Sequence, residues 1–116
     1  MHEFSIVVNI IDIAESTALE HNANGVSEVE VEVGDASGVS IEALEFAWES
    51  AIASSRPLKN TKLKIQNIPL LARCSQCQHQ YTATELYEAC PFCGAINPVI
   101  IQGRELRVKS IVLADQ

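Results

Sequence analysis

Aromatic side chains make up only 5% of this chain, and basic residues number 8 against 15 acidic ones. The first shortage means an aliphatic core, although the apolar fraction of 47% is ordinary for a globular protein. The second leaves a net charge of −7, with a pI near 4.8, and excludes the basic face that nucleic-acid binding needs. No long apolar run is present. Residues 4–14 are apolar but short, and Ser5, Asn9 and Asp12 interrupt them, so they predict neither a membrane span nor a signal peptide. There is no Gly-rich nucleotide loop, no nucleophile–base pair and no pair of catalytic acids, so an enzyme is not expected. With 116 residues, the chain is sized for one main domain carrying a smaller one.

Cysteine is absent except between residues 74 and 93, and there it is dense. Cys74/Cys77 and Cys90/Cys93 form two Cys-x-x-Cys pairs with 12 residues between them. A two-residue gap lets one tight turn aim two sulfurs at the same ion, and two such turns supply the four thiolates of a structural Zn²⁺ site. Pro91 stiffens the second turn, and Gly94 permits a positive φ behind it. Disulfides, an iron–sulfur cluster and a redox dithiol at Cys90 and Cys93 are the competing readings. The lack of an export signal argues against the first. The two-plus-two spacing argues against the second, and the second pair against the third. Clustered thiols without an export signal predict a cytoplasmic protein.

Apolar periodicity predicts a helix over 4–22, with Phe4, Val7, Val8, Ile11, Ala14, Ala18 and Leu19 on its buried face. A strand follows over 26–33, where Val29, Val31 and Val33 alternate with Glu28, Glu30 and Glu32. A second helix is expected over 40–54, with Ser40 as N-cap and Ile41, Leu44, Ala47, Trp48 and Ala51 facing inward. Strands are expected over 61–68, with Lys62 and Lys64 outward, and over 105–113, where Leu106 and Val108 oppose Arg107 and Lys109. Opposite charges on neighbouring strands are favourable, which places the acidic strand in the middle. A hairpin of the two basic strands with the metal at its tip is the alternative. The predicted fold is α+β: two helices packed on a three-stranded sheet, with a small projecting zinc-ribbon-like module. Residues 1–69 and 104–116 form the base, and 70–103 form a module whose folding energy comes from metal binding.

The start, Met1-His2-Glu3, has chemistry of its own. A His in second position offers the terminal amine, its own deprotonated backbone amide and its imidazole to one ion, closing two chelate rings. Such donors suit Ni²⁺ or Cu²⁺ better than Zn²⁺. A chance Met-His start is the plainer reading of these residues alone. A helix beginning here would disfavour a cation by about 0.3–1 kcal/mol, which Glu3 partly offsets.

Taken together, the chain resembles the HypA/HybF family of hydrogenase maturation nickel metallochaperones. The resemblance rests on Met1-His2-Glu3-Phe4-Ser5-Ile6, Val33-Gly34-Asp35 with Ser37, Leu44-Glu45-Phe46-Ala47-Trp48-Glu49, the two cysteine pairs, and Gly103-Arg104-Glu105-Leu106. It implies a chaperone that carries Ni²⁺ as transient cargo at its N-terminus. His2 would be the ligand, Met1 would give the terminal amine (the initiator Met being retained before so bulky a residue), and Glu3 would assist. Cys74, Cys77, Cys90 and Cys93 would hold structural zinc. The implied partners are the GTPase HypB and the large subunit of a [NiFe]-hydrogenase, with no nucleic acid and no membrane, and the implied assembly is a monomer or homodimer. Some members bring an aspartate near the start of the second helix close to the nickel. That position here is Ser40, with Asp35 and Glu42 the nearest acids. His79, two residues past Cys77, reads as an exposed loop His with the capacity to exchange onto zinc, and His21 as a helix C-terminal charge partner. A zinc-ribbon interaction module without nickel transfer is the rival reading. The absence of Lys and Arg between Cys74 and Cys93 weighs against its nucleic-acid form.

Overall fold

The structure, a computed structural model, describes residues 3–114. In chain order it contains α1 (Glu3–Glu20), β1 (Gly25–Gly34), α2 (Ile41–Ile52), β2 (Lys62–Ile68), β3 (Leu71–Cys74), β4 (Gln80–Thr82), β5 (Pro98–Gln102) and β6 (Leu106–Ala114). The fold is α+β, as the alternating periods indicate. Two three-stranded sheets are present, in the orders β2-β1-β6 and β4-β3-β5. The chain divides into two compact units, one of residues 1–31, 39–66 and 107–116, the other of residues 32–38 and 67–106. No helix among the described residues is long and apolar enough to cross a membrane.

In the first unit α1 packs on α2. The buried face of α1 is Val7, Ile10, Ile11, Ala14 and Ala18. Phe4, Val8 and Leu19, expected on that face, are 58%, 39% and 78% exposed, whereas Ile10, not expected, is 5% exposed. So many apolar residues lie on α1 that the three-and-four rule admits two neighbouring stripes, and the packing of α2 selects one. Asn22 adopts φ +54 and the Ala23 N–H reaches the Ala18 carbonyl at 2.9 Å, a left-handed C-cap with the long 6→1 bond. The last helical residue is Glu20, two short of the expected end at 22, and the left-handed cap residue is Asn22, the first of the expected stop. On α2, Leu44, Ala47 and Trp48 are buried, and the Trp48 indole N–H donates to the Thr61 carbonyl at 3.3 Å, so its one polar atom is satisfied.

The acidic strand is central, and the basic-strand hairpin is excluded. Lys64 on β2 approaches Glu28 to 3.6 Å, and Lys109 on β6 approaches Glu30 to 4.0 Å. These pairs are largely exposed, so each contributes no more than about 1 kcal/mol. Their combined sign still disfavours the alternative order, in which Lys62, Lys64, Arg107 and Lys109 would lie on adjacent strands. Leu106, expected to face inward, is 38% exposed.

In the second unit the family-like segments Val33-Gly34-Asp35 and Gly103-Arg104-Glu105 meet. The Gly34 N–H donates to the Glu105 carbonyl and the Ala36 N–H to the Gly103 carbonyl, both at 2.7 Å. The Gly103 N–H donates to the Glu105 carboxylate at 2.8 Å. A Cβ on Gly34 would fall on the Gly103 carbonyl, and one on Gly103, whose φ is +118, would lie 2.7 Å from Leu70 Cα. Backbone cannot yield as a flexible side chain can. Gly34→Ala is therefore expected to destabilise the metal-loaded protein by about 3 kcal/mol or more, measured as a lower urea midpoint at unchanged slope.

Candidate metal centre

The small sheet presents the cysteines. β3 pairs antiparallel with β5 in a register that sets Cys74 opposite Pro98, and with β4 through Ala72↔Tyr81. Proline heading β5 is tolerated because a strand's first residue can lack a ladder N–H. None of these three strands was expected from the sequence. At 3–5 residues each, they are too short to show an alternating pattern. The core beneath them is Leu70, Ala72, Cys74, Tyr81, Ala83 and Cys90, and the Tyr81 hydroxyl donates to the Glu88 carbonyl at 2.9 Å. Thr84 donates to the Glu88 carboxylate through its N–H at 2.9 Å and its hydroxyl at 2.8 Å, holding that carboxyl below its usual range.

The two Cys-x-x-Cys turns have the same construction. In the first, Gln78 N–H donates to the Cys74 carbonyl at 2.8 Å and Cys74 N–H to the His79 carbonyl at 2.9 Å. In the second, Gly94 N–H donates to the Cys90 carbonyl at 2.8 Å and Cys90 N–H to the Ala95 carbonyl at 2.9 Å. Gln76 N–H and Phe92 N–H each point at the first sulfur of their own turn, at 3.4 Å. Gly94 has the expected positive φ of +80, and Gln78, its counterpart, has φ +69. Sequence reasoning missed Gln78 because nothing in a glutamine signals a left-handed residue. Its side chain donates to the Ser75 carbonyl at 3.1 Å.

All four sulfurs lie within 4.8 Å of one another. Cys74 and Cys93 are 3.5 Å apart, and Cys77 and Cys90 3.6 Å. An ion bonded to four sulfurs at about 2.3 Å in a tetrahedron requires sulfur–sulfur separations of about 3.8 Å, so the donor set and spacing fit zinc. All four thiols are free. The Cys77 N–H holds Cys74 down at about 6, with help from the Gln76 N–H and against the opposing effect of burial. At Cys77 the His79 N–H lowers the pKa, but burial and the Cys90, Cys93 and Cys74 sulfurs together outweigh it and push it up to about 12. Cys93 is also raised: the Ala95 N–H lowers it, and the Cys74 sulfur and burial prevail. Without a cation, the Cys74 thiolate forms readily, while Cys77 and Cys93 hold their protons more tightly than an ordinary thiol.

His79 lies beside this centre. Its Nδ1 is 3.3 Å from Cys77 Sγ, and its ring stacks on Phe92 with centroids 4.4 Å apart and planes at 17°. The stack ties one turn to the other on the exposed side, a contact that residue spacing did not reveal. His21 Nδ1 lies 2.9 Å from the Thr17 carbonyl at the end of α1, where its ring serves the helix terminus. Of the predicted nickel residues, Met1 and His2 lie outside the described residues. Glu3 opens α1, and its Oε2 accepts from the Ser40 N–H at 3.0 Å.

These features define a small α+β protein whose four clustered thiols form a candidate metal centre. A family model described as HypA, hydrogenase/urease nickel incorporation, metallochaperone, matches residues 1–113. The hydrogenase maturation factor HypA of Francisella philomiragia is 40% identical over 112 residues, covering 97% of this chain and 98% of that protein. The HypA of Parabacteroides distasonis is 41% identical over 113 residues, covering 97% of each. Among solved structures, the Ni metallochaperone HypA from Helicobacter pylori matches over 100% of both chains, with a TM-score of 0.69 and 28% identity. This chain belongs to the HypA family of hydrogenase maturation factors.

Metal binding at the four thiols must displace protons from Cys77 and Cys93, whose pKa values are raised. The bound form carries fewer protons than the free form, so affinity rises with pH. Zinc affinity is expected to increase steadily from pH 6 to 8, read by competition with a chromophoric chelator, with proton release detected in weakly buffered solution.

Proposed function

We propose that this chain binds Ni²⁺ at its N-terminus and delivers it in the cytoplasm to the large subunit of a [NiFe]-hydrogenase during maturation. It does so without catalytic activity of its own and in concert with the GTPase HypB. His2 supplies imidazole and amide nitrogens, Met1 supplies the terminal amine, and Glu3 stands beside them. Cys74, Cys77, Cys90 and Cys93 hold a structural Zn²⁺, and residues 70–103 act as a separate module around it. The observation that carries the reading is the match to the nickel-incorporation family from residue 1 to residue 113, in a chain whose first three residues contain the chelating sequence. The two sites divide by donor chemistry: four soft thiolates suit zinc, and nitrogen donors in a plane suit nickel. A four-sulfur shell leaves no open position for cargo. A site at the beginning of α1, where the helix dipole opposes a cation by about 0.3–1 kcal/mol, favours release as well as capture.

The test is titration of untagged protein with Ni²⁺, followed by isothermal calorimetry and the visible absorption of the complex. Wild type is expected to bind one Ni²⁺. His2→Ala, and an N-terminal Gly-Ser extension that moves the amine away, are each expected to weaken binding by more than about tenfold, or 1.4 kcal/mol, with zinc content unchanged. Equal nickel affinity in His2→Ala overturns the assignment.

A further inference from the structure

The connection between α2 and β2 alternates between core and solvent. Leu58 and Thr61 are buried. The Val26 N–H donates to the Pro57 carbonyl at 2.9 Å, the Thr61 hydroxyl donates to the Val26 carbonyl, and the Trp48 indole N–H donates to the Thr61 carbonyl. The connection is thus fastened to β1 and to α2, and on its outer side it presents Arg56, Lys59 and Lys62, all exposed. With Asn24, Ser27 and Asn60 they line an open hollow of about 420 Å³, contained wholly within the first unit. Three of the chain's eight basic residues therefore converge on one hollow of a protein with 15 acidic ones. Lys64 and Lys109 have Glu28 and Glu30 as partners. Arg56, Lys59 and Lys62 have no ion-pair partner among the described residues.

We propose that this hollow is a docking site for an extended acidic segment of a protein partner. A net charge of −7 repels such a segment elsewhere, and the three cations attract it here, so charge both selects the site and steers the encounter. The hollow is not built as a phosphate cradle. Phosphate sites converge backbone N–H groups on the anion, whereas here the Val26, Lys59 and Thr61 N–H groups donate within the fold, to the Pro57, Arg56 and Leu58 carbonyls. Nor is it built as a small-molecule pocket, which encloses its ligand in mostly apolar walls. It offers three long cationic side chains, three residues apart in sequence, on a fastened backbone. Carboxylates strung along a flexible chain can meet these one by one. The site is independent of which ion the thiols or the N-terminus hold.

The experiment measures binding of a fluorescein-labelled octaglutamate peptide to full-length, zinc-loaded protein by anisotropy, with amide shifts mapped by NMR. Wild type is expected to bind, with shifts concentrated at Asn24, Ser27 and residues 56–62, and to lose affinity severalfold between about 50 and about 200 mM NaCl. Arg56→Gln/Lys59→Gln/Lys62→Gln is expected to bind about tenfold more weakly. Lys64→Gln/Arg104→Gln/Lys109→Gln removes the same charge from exposed positions elsewhere and is expected to bind within about threefold of wild type. Both variants alter exposed side chains, so zinc content and far-UV circular dichroism should match wild type. Equal weakening in the two variants would mean that net charge alone governs binding, and it overturns the proposal. Absence of binding by wild type overturns it too, as do identical shifts and affinity with inorganic phosphate, the mark of a small-anion site. Ala114 also borders the hollow, and Asp115 follows it in sequence. A gain of more than about tenfold in Asp115→Asn would make the chain's own Asp115 the occupant. Self-association that the hollow variant loses would make the occupant a second copy of the chain. Either result overturns the proposal.

Discussion

Four sulfurs within 4.8 Å of one another cannot all carry charge without a cation among them. The second unit is built around that constraint. Two of the six buried residues in its core are cysteines, and its strands hold 3–5 residues each, so little apolar area stands behind its geometry. The backbone anticipates the charge. Gln76 and Phe92 N–H groups point at the first sulfur of each turn, and at Cys74 the Cys77 N–H, with help from that of Gln76, depresses the pKa. In such a module metal affinity and folding energy are the same quantity, and proton affinity opposes both.

The first unit relies on an ordinary aliphatic core and uses charge to select topology. Glu28 and Glu30 on β1 meet Lys64 and Lys109 on the flanking strands. None of these contacts is strong. Together they penalise the one competing strand order, which would set lysines and arginines side by side. An overall acidic chain can therefore hold basic residues on both outer strands of a sheet whose middle strand supplies the countercharge.

Much of this was legible from pattern. The two helices, the three longer strands and the α+β class follow from periods of 3.6 and 2, and the central place of β1 follows from charge. The faces of α1 were less legible. Phe4, Val8 and Leu19 match the helical repeat as well as Ile10 does, yet only Ile10 is buried. Where apolar residues exceed what one stripe needs, the neighbouring element decides. The β4-β3-β5 sheet left no signal, because strands of three to five residues are too short for alternation to stand out. Gln78 left none either, because its left-handed φ is imposed by the turn geometry it shares with Gly94.

The donors at the four-thiol centre and at the proposed nickel site are a matter of side-chain chemistry and close spacing. Four thiols in two pairs, or a histidine beside a free amine, carry their preference for an ion in whatever fold contains them. The company a donor keeps is different, because it depends on contacts between residues far apart in the chain. The sequence shows Ser40 as an N-cap. That the Glu3 carboxylate accepts from the Ser40 N–H across 37 residues depends on α1 packing against α2. The stacking of His79 on Phe92 likewise depends on two turns being closed on one another. Local spacing specifies what can bind, and long-range packing specifies which polar groups are left to hold it in place.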